Sequence, residues 1–432
     1  MFIMRYIGDF HIHSHYSRAT SKDMNIEELD KWARIKGIDV LGTGDFTHPK
    51  WFRELQEKLE PAEEGLYRLK GSISATRFLL TVEVSSIYSQ GGKVRRIHNI
   101  VFAPSFEAAA KINRKLGAVG NFRADGRPIL GLPAQELLKI VLDASEDCLL
   151  VPAHCWTPWF SVFGSKSGFD SIEECFEEMA PYIYAIETGL SSDPAMNWRL
   201  SALDKITLIS NSDCHSASRI GREANVFTGN NLNYKNIVNA IKHSRSEKKG
   251  SGSLRLIETI EFFPEEGKYH YDGHRACKVS FAPKDSQKIK EICPKCGSPM
   301  TIGVLSRVEE LADRPPFDKS TGSKPEGAVP FRSLVPLDEI IALAMGVGPK
   351  TKTVKKQYNN LIEAFGSEFS ILLETSIEEV EMASLPEIAE GLRRVRAGAL
   401  TIEAGYDGEY GKVRIFKTGE KFSSKEQGTL FS

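Results

Sequence analysis

The sequence predicts an α/β fold for its first 245 residues, followed by a small metal-binding module and a helical domain. Three observations support this. Short apolar runs alternate with amphipathic helical stretches before residue 245, a segment with Cys and His residues follows, and residues 335–400 have a helical pattern. We therefore predict four parts: a barrel or layered domain at 1–245, a linker and zinc-binding module at 246–334, a helical DNA-binding domain at 335–416, and a flexible tail at 417–432.

Length and composition exclude several classes of protein. The 432 residues are 41% hydrophobic and 26% charged, which excludes global disorder. Because 56 Lys and Arg residues balance 57 Asp and Glu residues, bulk charge does not hold nucleic acid, although local basic patches remain open. The sequence has no apolar run of about 18 residues and an N-terminus that becomes polar early, so we expect neither a membrane partner nor a signal peptide. Seven cysteines without an export signal predict a cytoplasmic protein in which clustered cysteines bind metal.

Candidate metal ligands follow or lie within the apolar runs of residues 1–245. In α/β folds the chemistry lies at the C-terminal ends of strands. His11 and His13 are two residues apart, so on an extended segment they project from the same side and can bind one ion. The other candidates at such positions are Asp45, Glu83, His98, His154, Asp213 and His215. Eight such side chains are enough for two or three divalent ions, which could be Zn²⁺, Mg²⁺ or Mn²⁺.

The same residues form an ordered set of motifs. The motifs are Asp9-Phe10-His11-Ile12-His13, Asp45, Glu83, His98, Ala153-His154-Cys155 and Ser212-Asp213-Cys214-His215. In this order they resemble the polymerase-and-histidinol-phosphatase (PHP) superfamily. The resemblance implies a distorted (β/α)7 PHP barrel that hydrolyses phosphoesters with a trinuclear metal site.

The resemblance also implies a distribution of ligands among three ions. It assigns His11, His13, Glu83 and Asp213 to the first ion and to catalysis, Glu83, His98 and His154 to the second, and Asp45 and His215 to the third. The chain departs from the pattern of the superfamily at Ala19 and Phe46, where many members have a histidine. His15, Ser17 or His48 are therefore alternative ligands of the third ion.

A second metal site of another kind is predicted between residues 266 and 312. His274-x2-Cys277 and Cys293-x2-Cys296 form two knuckles, and four such ligands with no open position suit a structural tetrahedral Zn²⁺. His270 competes with His274 as a ligand, and the alternative is that the thiols are simply buried. A segment of about 45 residues buries too little apolar area to fold alone, so the ion would contribute much of its stability.

The segment Ile340–Lys356 resembles a helix-hairpin-helix motif. An apolar helix ends near Gly346 and Gly348, and a second helix begins with Lys350, Thr351 and Lys352. The two glycines let backbone N–H groups approach a phosphate oxygen, and the helix N-terminus adds partial positive charge. An ordinary turn between helices is the alternative. A possible second hairpin lies ahead of the basic residues Arg393, Arg394 and Arg396.

The end of the chain resembles the peptide by which replication and repair proteins bind sliding clamps. Gln427 would form a hydrogen bond with the clamp, and Leu430 and Phe431 would fill an apolar pocket. A match of this length also arises by chance, so the sliding clamp is a possible partner only.

The order of barrel, zinc knuckle, hairpin and clamp-like tail resembles the endonuclease Q family over nearly the whole chain. Further similar segments are Tyr16–Arg18, Ala185–Asp193, Lys268–Cys277, Thr301–Asp313 and Gly405–Val413. The resemblance implies cleavage of double-stranded DNA on the 5′ side of deaminated bases (uracil, hypoxanthine, xanthine) and of abasic sites.

Recognition of a damaged base requires that it be flipped out of the stack into a pocket. Candidates for the pocket wall are Glu187–Asp193, Trp156 and Trp159, although the two tryptophans are more typical of a core. Two other functions remain open. A small-molecule phosphoesterase would not need the long extension after the barrel, and a non-catalytic DNA-binding or clamp-binding scaffold would not need a near-complete ligand set.

Overall fold

A computed structural model describes residues 3–244, 254–317 and 324–417. These ranges form a mixed α/β structure, as the sequence predicts. The strands are β1 (Met4–Asp9), β2 (Val40–Gly42), β3 (Leu59–Pro61), β4 (Tyr67–Leu69), β5 (Arg77–Gln90), β6 (Lys93–Ala103), β7 (Ile129–Leu130), β8 (Leu149–Pro152), β9 (Ala185–Glu187), β10 (Thr207–Ile209), β11 (Ala224–Gly229), β12 (Arg255–Glu261), β13 (Asp272–His274), β14 (Val279–Phe281), β15 (Phe331–Ser333), β16 (Thr401–Glu403) and β17 (Lys412–Arg414). The α-helices are α1 (Ile26–Lys36), α2 (Pro49–Lys58), α3 (Phe106–Gly117), α4 (Ala134–Ala144), α5 (Ile172–Phe176), α6 (Pro194–Asn197), α7 (Tyr234–Lys242), α8 (Pro283–Lys288), α9 (Val304–Leu311), α10 (Leu337–Met345), α11 (Lys352–Phe365), α12 (Glu368–Leu373), α13 (Ile377–Ala383) and α14 (Pro386–Ala397).

Eleven strands belong to one sheet, whose main order is β15-β12-β11-β1-β2-β5-β4-β3, with β6 and β7 on β5 and β8 on β6. The strands β1, β2 and β5 run parallel, so their C-terminal ends lie on the same side. A separate parallel pair, β9 and β10, follows β8 along the chain. A bridge between Ile12 and Cys214 joins the chain beyond β1 to the chain beyond β10. The ends of these strands therefore converge on one place.

The first helix shows how local sequence sets the elements around this sheet. The Asn25 side chain accepts a hydrogen bond from the backbone N–H of Glu28 and caps α1. Ile26, Leu29 and Ala33 recur at helical spacing and are fully buried against the sheet. The helix ends at Gly37, whose φ of 84° suits a residue without a Cβ.

The predicted boundary at residue 245 does not divide the sheet. The strand β12 lies within the predicted linker, yet it pairs antiparallel with β11, and β15 pairs with β12. The linker prediction was wrong for residues 255–261. The Gly- and Ser-rich stretch before them suggested a loop, but Leu256 and Ile260 are apolar side chains that the sheet buries.

The zinc module includes residues from the end of the described chain. The Asp407 carboxylate accepts hydrogen bonds from the Arg275 backbone N–H and the Thr301 hydroxyl, both at 2.6 Å. Since β16 and β17 flank Asp407, they associate with the module, although we predicted the helical domain to extend to residue 416. A boundary between packed units is set by contacts distant in sequence, which a pattern along the chain does not reveal.

A buried ion pair joins the helices α10–α14 to the first 245 residues. Lys36 Nζ lies 2.6 Å from Glu368 Oε2, and the two side chains are only 7% and 5% exposed. The Tyr358 hydroxyl also donates to Glu368 at 2.6 Å, and the Leu337 backbone N–H donates at 3.1 Å. Such a network satisfies the buried carboxylate fully, so the helices have a defined position on the sheet domain. No helix in the described ranges is both long enough and apolar enough to cross a membrane.

Candidate active site

Four predicted ligands converge beyond the ends of β1 and β10. His11, His13, Glu83 and Asp213 each offer a ligand atom, and these atoms lie within 4.8 Å of one another. His13 Nε2 lies 3.1 Å from Asp213 Oδ1 and 3.2 Å from Glu83 Oε2. His11 Nε2 is buried without a hydrogen-bond partner and lies 3.5 Å from Asp213 Oδ1. A metal ion at the centre of the group would explain why this buried nitrogen has no hydrogen-bond partner.

A second group shares Glu83 with the first. Its members are Glu83, His98 and His154, all buried. Glu83 Oε1 lies 2.5 Å from His98 Nδ1 and 3.1 Å from His154 Nε2, whereas Glu83 Oε2 faces His13. The two oxygens of one carboxylate therefore face two ligand groups, and Glu83 is placed to bridge two ions.

The two residues predicted to bind a third ion, Asp45 and His215, lie beside the first ligand group. The carboxylate of Asp45 accepts hydrogen bonds from the backbone N–H and hydroxyl of Ser14 and from the Ser17 hydroxyl, at 2.6–2.8 Å, and it lies 3.2 Å from His13 Nδ1. His215 Nδ1 lies 2.9 Å from the carbonyl oxygen of Asp213. Within the described ranges, neither Asp45 nor His215 belongs to a group of three ligand atoms. The three serine hydrogen bonds all go to Asp45 Oδ2, and Asp45 Oδ1 faces His13 Nδ1, so this carboxylate is placed to orient His13.

The alternative ligands of the third ion have other contacts. Ser17 donates to Asp45, and the His15 Nδ1 atom lies 3.1 Å from the carbonyl oxygen of Met24. His48 accepts from the backbone N–H of Trp51 at the start of α2, and its ring stacks on Tyr16 at 4.2 Å. These contacts give each side chain a local structural role.

Three of the candidate site residues have a left-handed backbone conformation. The φ angles are 49° at Asp45, 30° at His154 and 45° at Asp213. Such a conformation costs a non-glycine residue about 1–3 kcal/mol, and it persists where the surrounding structure determines it and where function uses the side chain. The strain agrees with a site that aims these side chains at a common point.

Glu187 is a buried member of the site that the sequence reading placed only in a pocket wall. His11 Nδ1 lies 3.1 Å from both Glu187 oxygens, so Nδ1 carries the proton and Nε2 faces the ligand group. Glu187 also accepts from the His154 backbone N–H at 2.8 Å and from the Asn211 side chain at 2.9 Å. An acid at the end of β9 was the available signal, but its partner His11 is distant in sequence.

We expect Glu187→Gln to weaken metal binding at the first ligand group by about 10- to 100-fold, because an amide no longer holds His11 in its tautomer and orientation. Competition between the protein and a chelator of known affinity measures this change. The matched control is Glu63→Gln. The Glu63 carboxylate lies outside the site and pairs with Arg77 at a distance of 2.5 Å. Unchanged metal affinity in Glu187→Gln would show that the contact with His11 is not an orienting one.

The charges of the site favour cations. The carboxylates of Asp45, Glu83, Glu187 and Asp213 all lie within 3.2 Å of His11 or His13, and that of Glu83 also contacts the guanidinium of Arg127 at 2.9 Å. Burial alone would lower the pKa of His11, but Glu187, Asp213 and Glu83 raise it well above its ordinary value. Buried carboxylates in excess require compensation, which divalent ions would supply. The ligand types, the orphaned His11 nitrogen and this charge balance all fit two metal ions.

A cleft of about 350 Å³ opens beside the second ligand group. Its lining includes His98, His154, Arg127, Ile129, Trp159, Phe160 and Tyr269. Trp159 is 36% exposed there, whereas Trp156 is fully buried and donates to Asn197 at 2.8 Å, as a core residue does. Residues 187–193, which we also predicted for a pocket wall, are not among the residues that line this cleft. The apolar walls and adjacent ligands suit a flat ring held next to a phosphate.

The predicted zinc ligands also converge. His274, Cys277, Cys293 and Cys296 offer ligand atoms within 4.8 Å of one another. His270 lies outside this group, so the geometry favours His274 as the fourth ligand. In the second knuckle the Gly297 N–H donates to the Cys293 carbonyl at 2.8 Å, which forms a tight turn. Three thiols and one imidazole fit a tetrahedral Zn²⁺.

The hairpin between α10 and α11 is an exposed turn. Gly346 ends α10 with a φ of 63°, and the Thr351 side chain accepts from the Val354 N–H at the start of α11. A Cβ at Gly346 or Gly348 would meet nothing within 4 Å, so this surface is open to a ligand. Lys350 and Lys352 are exposed beside it.

One member of the basic run Arg393, Arg394 and Arg396 has a structural role. Arg396 donates to the carbonyl oxygens of Ile371, Leu372 and Thr375 and thereby caps the end of α12. The guanidinium of this member of the basic run is therefore used to satisfy carbonyl groups at a helix end. The predicted clamp-binding residues Gln427, Leu430 and Phe431 lie outside the described residues.

Comparisons with known proteins identify relatives of the whole chain. The family model "MJ0043 C-terminal domain" matches residues 336–399. The Methanocaldococcus jannaschii protein MJ0043 is 34% identical over 284 residues, which are 64% of this chain but 33% of that protein. The chain thus spans about a third of that relative. The crystal structure of the lesion-specific endonuclease PfuEndoQ from Pyrococcus furiosus superposes with a TM-score of 0.83 at 32% identity and covers 95% of both chains. An endonuclease Q complex with a 27-mer duplex substrate with an abasic lesion at the active site has a TM-score of 0.82 at 32% identity and covers 96% of this chain and 98% of that one.

Proposed function

The chain belongs to the endonuclease Q family, and from this premise we propose that it is a metal-dependent endonuclease that cuts duplex DNA on the 5′ side of deaminated bases and abasic sites. The observation that carries the proposal is the pair of ligand groups that share Glu83 beside an open cleft. We further propose that residues 1–245, together with β12 and β15, form the catalytic part on a distorted (β/α)7 barrel, with the zinc module and the helices α10–α14 as DNA-binding parts.

The residues of the site have separable roles in this reaction. His11, His13, Glu83 and Asp213 would hold one ion, and Glu83, His98 and His154 a second. Divalent ions so bound would lower the pKa of a coordinated water and neutralise charge on the attacking and leaving oxygens. Asp45 and Glu187 orient the imidazoles of His13 and His11. Hydrolysis adds the oxygen of water to phosphorus and breaks one P–O ester bond, and the departing oxygen takes up a proton.

The cleft supports recognition of an extrahelical nucleotide. Trp159 and Tyr269 contact each other at 5.6 Å between ring centroids and form part of its wall. Aromatic faces stack on nucleobases, and a damaged pair costs less to open than an intact one. A nucleotide flipped into this cleft would place its 5′ phosphate near His98 and His154.

The experiment that tests the proposal uses duplexes that carry one deoxyuridine, deoxyinosine or abasic site. We expect the metal-loaded protein to cut each lesion strand once, 5′ of the lesion, and to leave the undamaged duplex and all chelated samples intact. Hydrolysis of a simple phosphomonoester without cleavage of the lesion duplexes would favour a small-molecule phosphoesterase. DNA binding without any cleavage would favour a scaffold.

We expect Lys350→Ala combined with Lys352→Ala to weaken binding to damaged and undamaged duplexes equally. Each lost phosphate contact should reduce the slope of log affinity against log salt by about 0.9. Fluorescence anisotropy at several salt concentrations measures this slope. Lys31→Ala, which removes an exposed lysine paired with Glu28 at 3.0 Å on α1, is the control. An unchanged slope in the double variant would exclude the hairpin as the phosphate contact.

We also propose that the tail residues Gln427, Leu430 and Phe431 bind a sliding clamp. Calorimetry with a peptide of residues 417–432 and the clamp of the same organism tests this independently of catalysis. No heat of binding at micromolar concentrations would remove the clamp from the list of partners.

A further inference from the structure

Arg127 lies at the junction of the two ligand groups and the cleft. Its Nη1 donates to Glu83 Oε2 at 2.9 Å, and its side chain is 25% exposed. It lines the cleft together with His98 and His154. The guanidinium is thus in contact with the shared carboxylate on one side and with the open cleft on the other.

Among the described residues, most of the hydrogen-bonding capacity of this guanidinium is not used. A guanidinium has five N–H donors, and the contact with Glu83 is the side-chain hydrogen bond of Arg127 within the described ranges. The planar fork matches two oxygens of a phosphate, and the group keeps its charge throughout the reaction. The remaining donors are available to an anion in the cleft.

The segment before Arg127 is held against the site. The Asp125 carboxylate accepts from the Arg127 backbone N–H at 3.2 Å and from the Arg18 backbone N–H at 3.2 Å. A Cβ at Gly126 would lie 2.2 Å from Asp45 Oδ2, so glycine is required for this close approach. Asp125 therefore positions the backbone of Arg127, and Gly126 packs closely against the carboxylate that faces His13, before any substrate binds.

We propose that Arg127 is a catalytic residue that binds a non-bridging oxygen of the scissile phosphate and stabilises the charge that develops there. This inference rests on the proposed function. As the oxygen of water bonds to phosphorus and the ester P–O bond breaks, negative charge grows on the non-bridging oxygens. Arg127 donates hydrogen bonds to that charge and transfers no proton, because the water and the departing oxygen account for the only proton exchanged.

The competing explanation is that Arg127 only balances the charge of Glu83. In that case its loss would disturb the metal ligands rather than the substrate. The two explanations differ in metal content and in sensitivity to substitution at one non-bridging oxygen, so they can be separated without reliance on rate alone.

The test compares wild type, Arg127→Ala, Arg127→Lys and a control, Arg68→Ala, which removes an exposed arginine paired with Glu60 at 2.8 Å. Single-turnover cleavage of an abasic duplex by Arg127→Ala should be about 10²- to 10³-fold slower than by wild type and by the control, with metal content per chain unchanged. Duplexes with the Rp or Sp phosphorothioate at the scissile position provide the second readout. Wild type should cleave one of the two phosphorothioate isomers more slowly than the oxygen substrate. In Arg127→Ala the ratio of these two cleavage rates should be smaller for the isomer whose sulfur replaces the oxygen that Arg127 binds.

Each outcome decides the inference. Loss of active-site metal in Arg127→Ala, a rate within threefold of wild type, or unchanged phosphorothioate discrimination would overturn it. If Arg127→Ala does not fold, the ratio of oxygen to phosphorothioate cleavage rates is measured on Arg127→Lys instead. Lysine keeps the positive charge but cannot donate two parallel hydrogen bonds to a phosphate. Absence of cleavage by wild type would instead overturn the proposed function itself, so the two failures are distinguishable.

Discussion

Asp213→Asn is expected to lower lesion cleavage by about 10³-fold or more, while affinity for the duplex changes little. Asp213 Oδ1 lies 3.1 Å from His13 Nε2 and 3.5 Å from His11 Nε2, so it is a central member of the first ligand group. An amide removes one negative ligand, and the loss of several kcal/mol of transition-state stabilisation corresponds to about this factor in rate. Single-turnover cleavage and equilibrium binding, measured on the same abasic duplex, separate the two effects.

The control for this substitution is Asp204→Asn, which alters a carboxylate that pairs with Arg314 at 2.5 Å on the surface. We expect its cleavage rate to equal that of wild type. A cleavage rate for Asp213→Asn within tenfold of wild type would contradict the assignment. So would an equal loss of DNA affinity, because it would mean that Asp213 acts in folding or binding rather than in the chemistry.

Cys293→Ser is expected to remove one zinc per chain and to unfold the zinc module. The buried apolar cluster of this module consists of Val279, Cys293 and Met300, which is too small to maintain the fold. A structural zinc site contributes folding free energy directly, on the order of 10 kcal/mol in zinc-finger peptides. Metal analysis by mass spectrometry and limited proteolysis between residues 266 and 312 measure both effects.

Cys148→Ser is the matched control, because Cys148 is also a buried thiol, 1% exposed like Cys293, but belongs to no ligand group in the described ranges. We expect it to retain all of its zinc. Retention of zinc by Cys293→Ser would refute the knuckle. Zinc loss without increased proteolysis would show instead that packing against Arg275, Thr301 and Asp407 stabilises the module without the ion.

The candidate metal ligands were predictable from the sequence, because residues a fixed number of positions apart on a strand or in a turn have a defined geometry. His11 and His13 share a side of an extended segment, and Glu83, His98, His154 and Asp213 stand on or just beyond predicted strands. The two zinc knuckles and the end of α10 at Gly346 were predictable for the same reason, since each depends on residues a few positions apart. The predicted groups around Glu83 and around Cys293 are brought together in the structure.

Interactions between distant segments were not predictable in this way. Asp45 was expected to bind a third ion, but in the structure Ser14 and Ser17 donate to its Oδ2 and its Oδ1 faces His13. No sequence pattern marks Arg127 as a site residue, because it lies in a loop. Its place in the site follows only from its contact with Glu83, a residue distant in sequence.

The sequence by itself determined which residues are candidate metal ligands, and it determined most strands of the sheet, the two knuckles and the helical hairpin. Only the tertiary structure decided which carboxylates lie in the two groups of candidate ligands and which contact an imidazole of those groups instead, and that β12 completes the sheet rather than serving as a linker. The physical reason is that an element or a knuckle depends on residues that are close along the chain. The role of a buried carboxylate depends instead on which donors the fold brings to its two oxygens, and those donors come from segments up to 176 residues away, as for His11 and Glu187.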